Sequence, residues 1–187
     1  MRKVTYSMGV SLDGYITDPE GGFGWGVPGP ETFQTSLDEI RRVGVHLMGR
    51  RIYETMLYWE DAPETQDLGE AELEWAGLWN PLPKVVFSTT LTEVQGAARL
   101  AAGGPVEEIE RLRAESDDGD IAIAGANLAA QVAAAGLIDE YLVRVMPVLL
   151  GGGTPFFPRD EQRVDLELVD TRTLDERVLY LHYRAVR

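Results

Sequence analysis

Apolar and polar positions change period several times along this chain. Lys3 to Val10 mixes the two and ends at Ser-Leu-Asp-Gly, which predicts a strand and then a turn at Asp13-Gly14. Residues 14–31 hold six Gly and three Pro among scattered aromatics, a long punctuated loop of the kind that often carries function. Phe33, Leu37, Ile40 and Val43 then recur at helical spacing. Val45–Met48 reads as a short buried strand, and 50–58 as a helix. A helix follows over 67–80, with Leu73, Ala76 and the Trp75/Trp79 pair three to four residues apart. The β-branched run 83–88 predicts a strand. Residues 106–115 form an amphipathic helix, 120–125 a strand, and 126–138 an Ala-rich helix ended by Gly136. A last long strand begins at Glu140 and runs into a glycine cluster. Residues 164–174 and 177–186 alternate apolar with polar positions and close the chain as an antiparallel pair.

Strands alternating with helices through the middle imply a largely parallel, buried sheet with helices on both faces, edged by the terminal hairpin. The length of 187 residues fits one domain. A formal net charge of −14 argues against broad nucleic-acid binding and against an anionic membrane surface. The chain has no Cys, hence no disulfide and no thiolate metal site. Polar residues interrupt the N-terminal apolar stretch, and no apolar run nears the roughly 20 residues of a membrane helix. The expectation is a cytoplasmic protein. His46 and His182 have no clustered ligands nearby in sequence, so no metal is expected, and the acidic run 60–74 reads as a solvated face.

Three strand ends share one design: Met48-Gly49-Arg50-Arg51, Ala124-Gly125-Ala126-Asn127 and Gly151-Gly152-Gly153-Thr154. Gly permits a tight turn and close approach of an anion to backbone N–H groups. In open α/β sheets ligands gather at the carboxyl ends of strands. Such turns also serve purely structurally, and the G-x-G-x-x-G fingerprint is absent. Two adjacent Arg at a helix start oppose the helix dipole. Either they meet surrounding carboxylates and solvent, or they await an anionic ligand.

Taken in order, the stretches at 11–16, 46–54, 83–91, 121–131 and 136–157 resemble the dihydrofolate reductase-like superfamily, in its bacterial branch sharing the RibD C-terminal (riboflavin-pathway reductase) domain. The resemblance spans residues 1–187 as a single domain. It implies a dihydrofolate reductase-like three-layer α/β fold, NADPH as cofactor, a small heterocyclic substrate and a homodimer. By resemblance, Gly49, Arg50 and Arg51 contact the 2′-phosphate side and pyrophosphate, with Ile52 where Thr is frequent. Ser88 and Thr89 lie near the adenosine phosphate. Ala124, Gly125 and Ala126 match the turn beneath the pyrophosphate, and Asn127 and Leu128 open the next helix. Gly151, Gly152 and Thr154 match a late turn near the cofactor or the dimer contact. Trp25-Gly-Val-Pro resembles the loop that closes over nicotinamide.

The substrate side departs from both relatives. Pro30 occupies the position of the pterin-protonating carboxylate, with Glu31 next to it. Val143 stands for a Thr of folate enzymes, and Ile123 for a substrate-facing Glu of riboflavin-pathway reductases. Asp13 is retained, but Tyr15 replaces a Lys. Asp13 is either a turn-capping carboxylate or, with Glu31, the group that supplies or orients a proton. Trp25, Tyr53 and Trp59 either form an aromatic wall for a planar ring or, for the latter two, belong to the core. The functional expectation is an NADPH-dependent reductase of a pterin- or pyrimidine-like heterocycle. The alternative is a nucleotide-binding sensor or self-associating scaffold without catalysis.

Overall fold

In the computed structural model, residues 1–115, 118–157 and 163–186 are described. Their strands are β1 (Val4–Ser11), β2 (Val43–Gly49), β3 (Lys84–Phe87), β4 (Ala98–Leu100), β5 (Asp120–Ala124), β6 (Glu140–Met146), β7 (Leu166–Leu174) and β8 (Val178–Ala185). They form one sheet in the order β4-β3-β2-β5-β1-β6-β8-β7. Pairings are parallel from β4 through β6, and antiparallel from β6 to β8 and from β8 to β7. Helices α1 (Pro30–Ile40), α2 (Arg50–Met56), α3 (Tyr58–Thr65), α4 (Glu70–Trp79), α5 (Pro105–Ala114) and α6 (Ala126–Ala134) complete it. This is the three-layer α/β arrangement with a mostly parallel sheet that the sequence implies.

Two local expectations need correction. Residues 98–100 form a parallel edge strand, β4, too short for its alternation to register. The helix expected over 50–58 divides at Leu57 into α2 and α3, which brings part of the acidic run into a packed helix with Ala62 buried.

The strand alternation assigns the two sheet faces. On one, Val4, Tyr6, Ile121, Ile123, Val45 and Leu47 pack against Ile109 and Leu112 of α5 and Leu128 and Val132 of α6. Burying each such side chain is worth about 1.5–3 kcal/mol. On the other, β1 presents Thr5, Ser7, Gly9 and Ser11. Ser7 pairs in register with Leu142, Gly9 with Arg144, and Thr5 with Ala122 and Glu140. These small residues separate two apolar clusters. One joins Met48 and Val86 to Ile40, Tyr53 and Trp79. The other joins Leu142 and Met146 to Leu174, Val178 and Tyr180 of the hairpin.

The hairpin is tied back onto α1. Its turn residues Asp175 and Glu176 adopt φ of 49° and 56°. The Asp175 carboxylate accepts from the Glu31 and Thr32 amides at 2.9 and 3.0 Å and from the Thr32 hydroxyl at 2.5 Å. It thereby satisfies amides that a helix start leaves open. A β-carbon at Gly29 would collide with that carboxylate, which explains the glycine before α1.

Lys84, 3% exposed, secures the far end of α4. Its ammonium donates to the carbonyls of Trp79, Asn80 and Leu82 at 2.7, 3.1 and 3.0 Å and lies 4.8 Å from the Trp79 ring centroid. Burial pulls its pKa below the ordinary lysine value. Lys84→Met strips three carbonyls, two of them in fully buried bonds, of a charged donor, so it is expected to lower unfolding stability by about 2–3 kcal/mol. Urea unfolding followed by Trp fluorescence measures this; an unchanged midpoint would refute the capping role.

Candidate functional site

Because β1 carries only small side chains on its second face, the helices that cover that face cannot close on the sheet. A cavity of about 380 Å³ remains. Its floor is Thr5, Ser7 and Gly9 of β1, Ala122 and Ala124 of β5, and Leu142 and Arg144 of β6. Ser36, Glu39 and Ile40 of α1 close one side, and Trp75 and Trp79 of α4 another. Ile52, Thr55 and Met56 of α2 lie at one end, with Phe23 and Trp25 from the glycine-rich loop. Trp75 and Trp79 stack at 6.0 Å with an 11° interplanar angle. Trp25 sits in a single 3-10 turn, Gly24–Gly26, with its indole N–H donating to the Gly22 carbonyl at 3.3 Å.

A closed polar ring stands on the floor. The Ser7 hydroxyl donates to Glu39 Oε2 at 2.6 Å. Arg144 donates through Nη1 to Glu39 Oε1 at 2.8 Å and through Nη2 to Ser7 Oγ at 3.0 Å. The Arg144 and Glu39 side chains are each 13% exposed. Sequence reading missed all three. Their chain separations of 32, 105 and 137 residues leave no local motif. One signal was available: Arg144 is a lone cation inside the apolar run Tyr141–Met146 of a central strand.

The opposite end of the cavity reaches Arg42, Asp120 and Glu140. Burial raises the Asp120 carboxyl above the usual carboxylate range. Burial also pushes Glu140 upward, but bonds from Lys3 at 2.8 Å and His182 at 2.9 Å outweigh it and hold the group low. His46 lines the cavity, edge-on to Trp79 at 5.2 Å. Its Nδ1 is sealed from water without a hydrogen-bond partner. No group of three or more His, Asp or Glu among the described residues could hold a metal ion.

The strand-end turns come together as the topology requires. Gly49 pairs with Phe87, and Met48 with Ala124, so β2, β3 and β5 end level with one another. Arg50 is half exposed; its Nε donates to Glu54 at 2.7 Å and its Nη1 to the Thr90 hydroxyl at 2.8 Å. That bond ties the Ser88-Thr89-Thr90 turn to the Gly49 turn, while the Ser88 hydroxyl accepts from the Thr90 and Leu91 amides. Arg51 is exposed and makes no ion pair among the described residues. Gly125 has φ +100°, a conformation that favours glycine. A β-carbon at Gly49 would meet nothing within 4 Å. Ala126 and Leu128 are buried in the core beneath α6, whereas Asn127 is exposed.

Other sequence candidates lie away from the cavity lining. The Asp13 carboxylate accepts from Ser11 Oγ at 2.6 Å, from the Gly151 amide at 2.7 Å and from the Leu150 amide at 3.1 Å, and the Ser11 bond foremost holds its pKa low. Asp13 thus clamps the late glycine turn onto the β1 end. Thr154 continues this seam, its amide and hydroxyl meeting Thr17 Oγ1 at 3.2 and 3.0 Å. Gly152 packs near Pro19. Glu31 accepts from the Asp175 amide at 2.5 Å and staples the hairpin. Tyr53 is a core residue whose hydroxyl accepts from the Gln95 amide at 2.6 Å. Trp59 packs on Tyr58 and Trp75. Ile123 and Val143 point into the core on the opposite face, so neither position can face a ligand in this cavity.

A family model, described as the RibD C-terminal domain, matches residues 2–180. The chain belongs to the RibD C-terminal domain family. It is 29% identical over 182 residues to the uncharacterized protein YyaP of Bacillus subtilis (strain 168), covering 97% of this chain and 94% of that one. A putative riboflavin biosynthesis protein from Shewanella sp. PV-4 superposes with TM-score 0.77 at 28% identity over 99% of both chains. Dihydrofolate reductase from Enterococcus faecalis, complexed with NADP(H), shares the fold at TM-score 0.58 and 17% identity, over 99% of this chain and 97% of that one. RibD from Acinetobacter baumannii does so at TM-score 0.71 and 19% identity, this chain covering 58% of it. The domain therefore has the dihydrofolate reductase-like fold. No helix among the described residues is long and apolar enough to cross a membrane.

Burial draws the His46 pKa from 6.5 down to about 4, with the Lys84 charge adding to the effect. A folded-state value below the unfolded one means the unfolded chain binds the proton first. Stability is then full above pH 6.5, falls as the pH drops towards about 4, and levels below that. The span corresponds to about 3 kcal/mol. His46→Phe is expected to remove this part of the acid limb, measured as the difference in urea unfolding free energy between neutral pH and about pH 4. Parallel limbs for the two proteins would contradict it.

Proposed function

We propose that this protein is an NADPH-dependent reductase acting on a small, planar, pterin- or pyrimidine-like heterocycle. The observation that carries the reading is that one cavity runs from the small residues of β1 to the strand ends beside the Gly49 and Gly125 turns. Ile52 and Ala124 line the cavity and adjoin the Gly49 and Gly125 turns. The residues present fit a dinucleotide. Backbone at Gly49 is open to close approach, and Arg50 and Arg51 supply exposed cations in a chain of net charge −14. Gly49, Arg50 and Arg51 with Ala124, Gly125, Ala126 and Asn127 would hold the pyrophosphate, Leu128 anchoring their helix in the core. Ser88 and Thr89 would lie by the adenosine phosphate, and Arg50, braced by Glu54 and Thr90, would meet the 2′-phosphate. The nicotinamide of such a cofactor supplies a hydride. The chain's part is to receive the heterocycle between β1 and the Trp75/Trp79 wall, to orient it and to exclude water. Trp25 would cover the cavity mouth. Asp13 and Glu31 enter as clamps of the surrounding loops, since their carboxylates are engaged by backbone amides.

The hairpin exposes Leu166, Leu168, Val169 and Leu179, each 38–50% accessible. This apolar surface supports homodimer formation, which light scattering would report as twice the mass of one chain. A monomer at micromolar concentration would refute it.

NADPH added to the purified protein should raise its melting temperature and quench Trp fluorescence. Arg50→Ala should weaken NADPH about tenfold, the loss of one charge-assisted contact of about 1.4 kcal/mol, and leave NADH nearly unchanged. Equal loss for both cofactors would remove Arg50 from 2′-phosphate recognition, and no response to either would remove the cofactor reading. Binding without oxidation across pterin and pyrimidine panels would favour a non-catalytic sensor.

A further inference from the structure

We propose that Arg144 is the specificity-determining residue of the cavity and that it reads a carbonyl oxygen on the edge of a neutral, planar oxo-heterocycle. This deepens the reductase reading, on which it rests for the presence of a heterocyclic ligand.

A guanidinium carries five N–H donors in a rigid planar fork. Glu39 and Ser7 take one each, and the remaining three have no partner among the described residues. The side chain is 13% exposed and lines the cavity, so those donors have little access to bulk water. The space on the β1 side is open: of the two cross-strand neighbours of Arg144, Tyr180 of β8 is a buried ring, but Gly9 of β1 has no side chain, and a β-carbon there would meet nothing within 4 Å. An acceptor placed in that space satisfies donors that are otherwise left to cavity water.

The ring around Arg144 also fixes what kind of acceptor fits. Glu39 already neutralises the guanidinium, so the floor holds fixed N–H donors without a net positive charge. A second anion would gain little there and would face the Glu39 carboxylate. A neutral lactam or ring carbonyl gains the bond without that repulsion. An amino edge would set N–H against N–H and leave both unpaired, which costs about 1–3 kcal/mol per buried group. Ser7 and Glu39 are positioning residues: they hold the fork in one orientation, and the Trp75/Trp79 pair bounds the space for a flat ring.

Two bicyclic rings of equal size separate the possibilities: lumazine (2,4-dioxopteridine) and 2,4-diaminopteridine, titrated calorimetrically into the purified chain. Lumazine is expected to bind at least about tenfold tighter. Arg144→Leu should bring the ratio near one. Arg144→Lys, which keeps the charge and loses the fork, should give an intermediate ratio and serves where the leucine variant does not fold. Ser7→Ala should lower the ratio with little change in melting temperature, an effect that loss of a purely structural contact would not produce. Equal binding of the two rings, tighter binding of the diamino ring, binding of neither, or a ratio unchanged in the folded Arg144 variants would each overturn the proposal. NADPH titration of the same samples separates this from the reductase reading. A lost oxo preference with intact NADPH binding refutes the Arg144 role alone. An intact preference with no NADPH binding refutes the reductase reading alone.

Discussion

Everything that distinguishes this domain depends on the two unlike faces of β1. A strand buried between parallel neighbours is normally apolar on both sides. β1 follows that rule on one face, where Val4, Tyr6 and Val10 reach the core beneath α6. On the other face it offers Thr5, Ser7, Gly9 and Ser11, which cannot fill the space between sheet and helix. Well-packed interiors leave few voids larger than a water molecule. A cavity of this size over a central strand of the sheet follows from these small side chains. Larger residues at Ser7 and Gly9 would fill it without disturbing the opposite core.

The polar ring on the cavity floor supports the same view. A partly buried ion pair such as Arg144–Glu39 contributes little net stability, because desolvation of the two charges offsets their attraction. An apolar pair of similar volume would join the Leu142–Tyr180 cluster on one side and the Ile40–Trp79 cluster on the other. The chain instead separates these clusters with charges and hydroxyls. Lys84 works differently. Its ammonium terminates α4 by taking three carbonyls, so its charge serves the wall of the cavity and leaves the interior to other groups.

Most of the fold was legible from periodicity, because parallel strands and amphipathic helices each bury a face of fixed period. The gathering of the Gly49, Ser88 and Gly125 turns was also legible, since adjacent parallel strands end on the same side. What failed to show were contacts between distant segments. Glu39 reads locally as the polar face of a helix, and Ser7 as an outward strand position. Asp13 and Glu31 show the converse. Asp13 sits in a glycine-marked turn and Glu31 in the first turn of α1 behind Pro30, and their carboxylates meet backbone amides 138 and 144 residues away in sequence. Ile123 and Val143 show a third limit. Alignment to a motif gives the residue type, but only the pairing register tells which face of the sheet it occupies.

The two Arg at the start of α2 are best understood together with the cavity. Cations at that end of a helix oppose its dipole, and Arg50 is partly compensated by Glu54 and Thr90. Arg51 has no such partner among the described residues. The cavity over β1 opens beside the same turn, through Ile52 and Ala124. One side of this junction is basic and solvent-facing, the other is a cavity walled by the aromatic side chains of Trp25, Trp75 and Trp79. A ligand with an anionic end and a flat neutral end matches that gradient in a single orientation, with its charges outside and its ring directed along β1 towards Ser7 and Arg144. On the proposed reading, the asymmetry of one strand and the charge of one turn would together set both the site and the direction in which it is entered.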